Sequence, residues 1–243
     1  MTAPLFLAED LADPLPAPGA ELLLGGDEGR HAAVVRRITA GEAVLVSDGH
    51  GRGVRGRVLD ASKAGLRLEV VEQLSAPEPA RRIVVVQALA KGDRSELAVE
   101  MLTEVGVSGI WPWQASRSIV RWSAERAEKG LSRWRSTARE ATKQSRRLRV
   151  PELLPVLSTP QLCAALAEAD LALVLHEEAT TQLRDVPLPE RGTVVVVVGP
   201  EGGISADELE GFAAAGACPV LVSDAVLRTS TAGVVAVAGL LLR

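Results

Sequence analysis

The chain has 243 residues, of which 47% are hydrophobic and only 2% aromatic, so Ala, Val and Leu must pack most of a sizeable core. Its two cysteines, Cys163 and Cys218, form no CxxC or Cys/His pattern. That spacing argues against a metal site or a disulfide framework and is typical of the reducing cytoplasm. Positions 1–29 hold no Lys or Arg, and apolar runs are only strand-sized, so we expect neither a signal peptide nor a membrane span.

The net charge of −4 hides a basic block at residues 117–149, which has eleven basic and three acidic residues and a net charge of +8. The rest of the chain therefore carries −12. A local block of this sign predicts contact with a polyanion, although a solvated basic helix face gives the same pattern. Trp122 and Trp134 lie inside the block, where their helical spacing favours packing over stacking on bases.

Residues 1–75 are predicted to form a small β-barrel. Their short alternating strands are separated by Gly-rich turns such as Ser47-Asp48-Gly49. One short helix is expected at 27–38, with Asp27 as its N-cap. The strand candidates are residues 22–24, 43–46, 53–59 and 66–71.

Residues 76–82 contain Pro77 and Pro79 and are predicted to be a linker. Strands alternate with helices from residue 83 onwards, which predicts a mainly parallel α/β sheet. In the helix expected at 94–105, spacing places Leu97, Met101 and Val105 on one stripe. The other expected elements are strands at 83–86, 109–111, 171–175, 193–198 and 220–222 and helices at 123–147, 205–215 and 231–242.

A glycine-rich turn, Gly199-Pro200-Glu201-Gly202-Gly203, follows a strand of five valines at 194–198. Ser205 and Glu208 after it predict a helix with a capping box. Ligands of open α/β sheets lie at the carboxyl ends of strands, and glycines let the backbone approach them. The turn lacks a phosphate-loop lysine and contains a carboxylate, so a cationic, hydroxyl-rich ligand such as S-adenosylmethionine fits better than a phosphate. A purely structural corner is the alternative.

A second cluster, Leu227-Arg228-Thr229-Ser230-Thr231-Ala232, precedes the final apolar helix. Thr229 or Ser230 is predicted to cap that helix. Arg228 gains nothing from the helix dipole at this end, which suggests that its charge serves a site. An ordinary surface arginine is the alternative.

The two clusters together resemble the SPOUT class of RNA methyltransferases. More narrowly, they resemble the bacterial 16S rRNA uridine-N3 methyltransferases of the small-subunit methyltransferase E family. Four further motifs in the same order carry this resemblance along most of the chain: H-x-x-x-V-x-R-x-x-x-G at 31–41, K-G-D-R-x-E at 91–96, T-E-V-G-V at 103–107 and Q-S-x-R-x-x-V-P-E at 144–152. Four positions depart from the family pattern, with Met101 in place of Lys, Arg146 in place of Gly, Ala225 in place of Arg and Ser230 in place of Glu.

The resemblance implies a trefoil-knotted α/β SPOUT methyltransferase domain at 83–243, preceded by a PUA-like β-barrel RNA-binding domain at 1–75. It further implies a homodimer, S-adenosylmethionine as the methyl donor without a metal, and 16S rRNA of the small ribosomal subunit as the partner. The residues expected to hold the donor are Leu175, His176, Gly199, Pro200, Glu201, Gly202, Val222, Leu227 and Thr229. Those expected to contact RNA are His31, Arg37, Lys91 and Arg94, with Arg117, Arg139, Arg146 and Arg147 of the basic block.

Methylation at uridine N3 requires loss of the N3 proton, which leaves negative charge on the flanking carbonyl oxygens. Arg228 is the candidate that stabilises this charge, and Glu201 is a candidate general base. Two alternative hypotheses about the function remain: a SPOUT methyltransferase acting on another RNA, and a non-catalytic RNA-binding or assembly protein. A nucleotide-binding α/β enzyme is disfavoured because the phosphate-loop lysine is missing.

Overall fold

The computed structural model describes residues 3–243, which divide into two compact units. The first unit contains the chain up to Glu78 together with Glu140–Val150. The second contains Pro79–Arg139 and Pro151–Arg243. Residues 140–150, which the sequence pattern places in the α/β part, therefore cluster with the β-rich part of the chain.

The first unit is built on a five-stranded sheet in the order β1-β3-β4-β5-β2. Strands β1 and β3 are parallel, and the other pairs are antiparallel. Alternate residues of β4 and β5 are buried around an apolar cluster that includes Val44, Val46, Val58, Leu66 and Leu68. The strands are β1 (Leu5–Leu7), β2 (Glu21–Leu24), β3 (Ala43–Ser47), β4 (Arg52–Ser62) and β5 (Gly65–Ser75). Strand β1 was missed because three consecutive buried residues show no alternation.

The short helix of this unit consists of α1 (Gly26–Arg30), continued by a π-helical turn at His31–Val35. Asp27 as the N-cap was wrong: the N-cap is Gly25, and no side chain caps the helix. The chain enters the helix through Gly26 at φ 61°, a conformation that glycine adopts at little cost. Asp27 therefore lies in the first turn, where its charge complements the helix dipole.

The second unit contains a six-stranded sheet in the order β11-β9-β10-β6-β7-β8, with every neighbouring pair parallel. This confirms the predicted parallel α/β sheet. Residues 194–198 are all buried, as expected for a central strand covered on both faces. The strand expected at 220–222 lies two residues earlier, at β11. The strands are β6 (Arg81–Ala88), β7 (Gly109–Trp113), β8 (Glu152–Leu153), β9 (Leu171–Leu175), β10 (Gly192–Val198) and β11 (Cys218–Val220).

Five longer helices and a 3-10 turn at Leu183–Asp185 complete the chain. The helix expected at 94–105 is confirmed as α2 (Arg94–Val105), but the stripe of Leu97, Met101 and Val105 is not its buried face: Leu97 is 43% exposed, whereas Ala98, Val99 and Leu102 are buried. Helix α2 packs closely on α6 (Thr229–Leu241), where Leu102 lies against Gly233, and this contact is part of what determines the buried face. The helices are α2 (Arg94–Val105), α3 (Ala124–Ser145), α4 (Thr159–Ala167), α5 (Ala206–Ala214) and α6 (Thr229–Leu241).

Helix α3 ends in a Schellman motif with arginine at the left-handed position. Arg146 has φ 57°, its N–H donates to Lys143 O at 3.2 Å, and the Arg147 N–H donates to Thr142 O at 3.1 Å. Helix α2 ends in a comparable left-handed turn, but there the residue is Gly106. A side chain in the left-handed region costs roughly 1–2 kcal/mol relative to glycine, so Arg146 carries a local conformational cost.

Candidate functional site

The carboxyl ends of four parallel strands meet at one edge of the second unit's sheet. Val198 of β10 pairs with Gln87 of β6, and Leu175 of β9 pairs with Val220 of β11. Strands β9 and β10 are themselves neighbours, and β10 runs directly into the turn at 199–203. The residues predicted to hold a donor, which follow β9, β10 and β11, therefore share this edge.

The glycines of the turn allow close packing within the protein. A Cβ added at Gly199 would lie 2.8 Å from Cγ1 of Ile204, and one at Gly202 would lie 3.1 Å from the carbonyl oxygen of Arg117. Gly203 has φ 73°, and its N–H donates to Pro200 O at 2.9 Å. The missing side chain at Gly199 thus makes room for Ile204, and that at Gly202 makes room for the chain segment at Arg117, which fixes the shape of the turn.

Helix α5 starts directly after the turn, and its predicted capping box of Ser205 and Glu208 is confirmed. The Glu208 carboxylate is 4% exposed and also accepts hydrogen bonds from Ser116 N at 2.7 Å, Ser116 Oγ at 2.9 Å and Thr159 Oγ1 at 3.1 Å. Burial acts to raise the pKa of Glu208, but the hydrogen bonds from Ser116 and Ser205 outweigh it, so the pKa is lowered overall. This carboxylate clamps the start of α5 to the segment that carries Arg117.

Thr229 ties the start of α6 to the turn. Its hydroxyl donates to Gly199 O at 2.8 Å and accepts from Gln87 Nε2 at 2.9 Å. The prediction that Thr229 or Ser230 caps α6 was wrong, because Arg228 is the N-cap and no side-chain cap bond forms. Gln87 is fully buried and was missed, although a lone amide at the end of the apolar run 83–86 could have drawn attention to it.

The two predicted catalytic residues, Glu201 and Arg228, are exposed, and they lie close in sequence to Gly199 and Thr229, which the hydrogen bond joins. Oε1 of Glu201 accepts the backbone N–H of Lys91 at 3.1 Å, which links the turn to the K-G-D-R loop. The side chain of Arg228 has no hydrogen bond or ion pair within residues 3–243. A free cation therefore immediately precedes Thr229, which contacts the turn.

The remaining predicted donor residues lie at or after the carboxyl ends of β9 and β11. Leu175, Val222 and Leu227 are half-buried apolar side chains, and the backbone N–H groups of Val222 and Leu227 have no partner within the described chain. His176 is half-buried, and its Nδ1 accepts the N–H of Glu178 at 3.2 Å, so its side chain orders its own loop.

The residues predicted to contact RNA are spread over both units. His31 and Arg37 are exposed in the first unit, where Arg37 has φ 54°. In the second unit, Lys91 and Arg117 are exposed and Arg94 is half-buried. Arg117 Nη1 donates to Gly202 O at 3.4 Å, which places this cation against the glycine-rich turn.

The basic block is less uniform than its sequence implies. Arg126, Lys129 and Arg135 are exposed, whereas Arg139 and Arg147 are half-buried, and burial lowers the pKa of Arg147. Exposure therefore differs from residue to residue within the basic block. Only some of its cations present their charge to solvent.

Two other members of the block have structural roles in the first unit. Lys143 is 13% exposed and pairs with Glu28 at 2.9 Å and Glu140 at 2.7 Å. Arg149 Nε donates to Ala76 O at 2.9 Å. These cations stabilise the protein itself.

Trp134 is fully buried and packs edge-on against Trp122, with ring centroids 5.6 Å apart. The packing interpretation of Trp134 is therefore confirmed.

Among residues 3–243, no group of three or more His, Cys, Asp and Glu side chains is placed to hold a metal ion. No helix in that part of the chain has the length and apolar character needed to cross a membrane.

Comparison with known proteins places the chain in a family. The family described as "RNA methyltransferase domain" matches residues 76–241, and that described as "RNA methyltransferase PUA domain" matches residues 24–71. Ribosomal RNA small subunit methyltransferase E of Mycobacterium bovis is 47% identical over 97% of this chain and 90% of that protein. The Bacillus subtilis protein of the same name is 29% identical over 85% of this chain and 84% of its own.

The structural comparison agrees with the sequence comparison. A ribosomal RNA small subunit methyltransferase E from Neisseria gonorrhoeae, bound to S-adenosyl methionine, superposes with a TM-score of 0.85 at 27% identity, covering 99% of this chain and 98% of that one. The fold is thus a SPOUT-type α/β methyltransferase domain with a PUA-like domain before it. On these grounds the chain belongs to the RNA methyltransferase family that includes the ribosomal RNA small subunit methyltransferases E.

Proposed function

We propose that this protein transfers the methyl group of S-adenosylmethionine to N3 of a uridine in the 16S rRNA of the small ribosomal subunit. One observation carries the proposal. Arg228, whose side chain has no partner within the described residues, immediately precedes Thr229, and Thr229 is hydrogen-bonded to the glycine-rich turn at the carboxyl edge of a parallel sheet. The names and the bound S-adenosyl methionine of the relatives support the same reaction.

S-adenosylmethionine would supply a methyl group already activated by its sulfonium charge. Leu175, His176 and Val222 would lie along the adenosine together with Leu227. The turn residues Gly199, Pro200, Glu201 and Gly202, held by Thr229, would complete the pocket. The Glu201 carboxylate suits a ligand that carries a cationic centre and ribose hydroxyls.

Arg228 would act on the other reactant. Removing the N3 proton spreads negative charge over the two neighbouring carbonyl oxygens of uracil, and a guanidinium stabilises such charge best where it has no competing partner. Glu201 is our candidate for the base that takes the proton. Its Oε1 is engaged by Lys91 N, and its Oε2 has no partner within residues 3–243.

We assign RNA binding to a PUA-like domain at 1–75 and methyl transfer to a domain at 83–243, joined by a linker at 76–82 whose last two residues, Arg81 and Arg82, already belong to β6. The proposed RNA contacts are His31, Arg37, Lys91 and Arg94, with Arg117, Arg139, Arg146 and Arg147.

We further propose a homodimer in the cytoplasm. The free thiols of Cys163 and Cys218 are consistent with a reducing compartment. Light scattering of the purified protein would test the dimer.

A trefoil knot in the second domain is also part of the proposal. Leu221, just after β11, exchanges backbone hydrogen bonds with Thr181 and Leu183 of the long β9–β10 connection before the chain enters α6. Arg243, at the other end of α6, donates to the carbonyl oxygens of Leu183 and Val186 at 3.0 and 2.7 Å. A crystal structure whose chain path needs no threaded loop would contradict the knot.

The reaction is tested with small ribosomal subunits from a strain that lacks the corresponding gene. Purified protein and labelled S-adenosylmethionine should methylate these subunits at one 16S nucleotide, and mass spectrometry should identify 3-methyluridine. Methylation of a different RNA would identify another target. Absence of both methylation and S-adenosylmethionine binding by calorimetry would identify a non-catalytic RNA-binding protein.

A further inference from the structure

A pocket of about 520 Å³ opens in the first unit, between its N-terminal strands and the carboxyl end of α3. That volume lies within the range of ordinary small-molecule sites. Leu5, Phe6 and Ile38 give the pocket an apolar wall. His31, Arg36, Glu42 and Arg146 are among the polar residues that line the rest, with Glu140, Lys143 and Gln144.

Several charges in the pocket are already satisfied by the protein. Lys143 pairs with Glu28 at 2.9 Å and Glu140 at 2.7 Å. The Glu42 carboxylate accepts hydrogen bonds from Thr39 N at 2.7 Å and Thr39 Oγ1 at 2.9 Å. These groups contribute little attraction for a ligand.

The two guanidinium groups differ from these satisfied charges. Arg36 and Arg146 are both exposed, and neither side chain has a hydrogen bond or an ion pair within the described residues. Free guanidinium groups beside an apolar wall are suited to a phosphate that carries a flat base. His31 is exposed on the same pocket and adds an N–H hydrogen-bond donor.

The backbone at Arg146 gives an independent reason to assign this pocket a function. Arg146 holds the left-handed position at the end of α3, φ 57°, which in α2 is occupied by Gly106 at φ 109°. Glycine would close the same motif without strain. A strained arginine at the edge of a pocket is the pattern expected where a side chain serves binding rather than helix stability.

We propose that this pocket binds one nucleotide of the RNA substrate, with the phosphate held by Arg36 and Arg146 and the base against the apolar wall. The inference rests on the proposed function, since it takes the ligand to be RNA. It adds a specific docking point, in the first unit, for a nucleotide other than the one methylated at the strand-end site.

The test is Arg146→Gly, which removes the guanidinium and relieves the backbone strain. Affinity for 16S rRNA, measured by filter binding, should fall by about tenfold, as expected for loss of a charged hydrogen bond. The slope of log K against log salt should decrease by about one unit. The melting temperature should stay the same or rise, and the affinity for S-adenosylmethionine should not change.

Two companion variants make the result specific. Arg67→Ala removes an exposed arginine of the same unit outside the pocket and should leave RNA affinity within about twofold of wild type. Ala43→Phe fills the pocket from an exposed position and keeps both arginines, so it should weaken RNA binding as Arg146→Gly does. Equal losses in Arg67→Ala and Arg146→Gly would overturn the pocket assignment, because they would indicate general charge attraction.

Failure of the pocket and failure of the function give different results. If the wild-type protein methylates 16S rRNA but Arg146→Gly and Ala43→Phe bind it as tightly as wild type, the pocket assignment is overturned and the proposed function stands. If the wild-type protein neither binds nor methylates rRNA, the proposed function falls and the RNA assignment of the pocket falls with it.

Discussion

Thr229 is the residue on which the geometry of the strand-end site depends most directly. Its hydroxyl donates to the backbone of the turn at Gly199 and accepts from the buried amide of Gln87, so its hydrogen-bonding capacity is taken by two other strand ends. Because Thr229 fixes the first turn of α6, the backbone of Arg228 is fixed next to it. The site thus holds a free cation on a well-ordered support, which is the arrangement that favours transition-state stabilisation.

Replacing Arg228 with Ala should reduce turnover by a factor on the order of 10² to 10³, the usual effect of removing one group that stabilises a developing oxyanion. Donor affinity should change by less than about twofold, because the guanidinium acts on uracil rather than on the donor. Single-turnover methylation and calorimetry measure the two effects separately.

A conservative variant and a control variant help to interpret the turnover of Arg228→Ala. Arg228→Lys keeps the charge but loses the planar donor pair, so its turnover should lie between those of wild type and Arg228→Ala. Arg184→Ala removes an exposed arginine from the 3-10 turn and should leave turnover unchanged. Normal turnover in Arg228→Ala would remove Arg228 from the mechanism.

At the scale of elements, α5 is held at its first turn by a buried carboxylate. Glu208 accepts from Ser205, Ser116 and Thr159, so three chain segments converge on one side chain. The negative charge also lies in the first turn of the helix, where the dipole favours it. We infer that this clamp maintains the position of the glycine-rich turn, which immediately precedes α5.

Glu208→Gln should lower the free energy of unfolding at pH 7 by about 2 kcal/mol, because charge-assisted bonds are lost and an amide N–H₂ faces other donors. The folded-state pKa of Glu208 is lowered below its ordinary 4.5. Its stabilising effect is therefore complete above that pH and is lost as the pH falls through the folded-state pKa. The gap between wild type and variant should shrink as the pH falls below 4.5.

Urea unfolding over a series of pH values measures this gap. Glu210→Gln, on the exposed side of the same helix, is the matched control and should leave stability unchanged at each pH. A gap for Glu208→Gln that stays constant from neutral to strongly acidic pH would contradict a role for the ionised carboxylate.

Features encoded within one or two turns of chain were predictable from the sequence. The strand at 194–198, the glycine-rich turn and the capping box of Ser205 and Glu208 each depend on neighbouring residues only. Asp27 failed as a cap because two glycines make the turn into α1. The stripe that begins at Leu97 is not the buried face of α2, because burial of Ala98, Val99 and Leu102 depends on how α2 packs in the fold, including against α6.

Contacts between distant segments could not be predicted from sequence. The hydrogen bond from Gln87 to Thr229 joins residues 142 positions apart, and that from Ser116 to Glu208 joins residues 92 apart. Periodicity contains no information about such pairs. The left-handed backbone of Arg146 was equally hidden, although the family's glycine at that position is now explained by the Schellman motif.

At the scale of the whole molecule, a chain of net charge −4 keeps a strongly basic segment at 117–149. The structure separates its cations into those used internally, such as Lys143 and Arg149, and those left exposed on α3, such as Arg126 and Lys129. Only the second group is free to replace counterions on a polyanion. The count of basic residues in the sequence therefore overstates the RNA-binding charge.

We expect RNA binding to weaken by roughly three orders of magnitude between about 50 and 200 mM salt, as for a protein that makes six or more phosphate contacts. The double variant Arg126→Ala/Lys129→Ala should reduce the slope of log K against log salt by about 0.7 to 0.9 units per lost cation, the range from single strands to duplexes. Arg55→Ala, which removes an arginine paired with Glu72 at 3.4 Å, should leave the slope unchanged. Filter binding over a salt titration measures all three. A wild-type affinity indifferent to salt, or an unaltered slope in the double variant, would mean that the exposed face of α3 does not contact the phosphates.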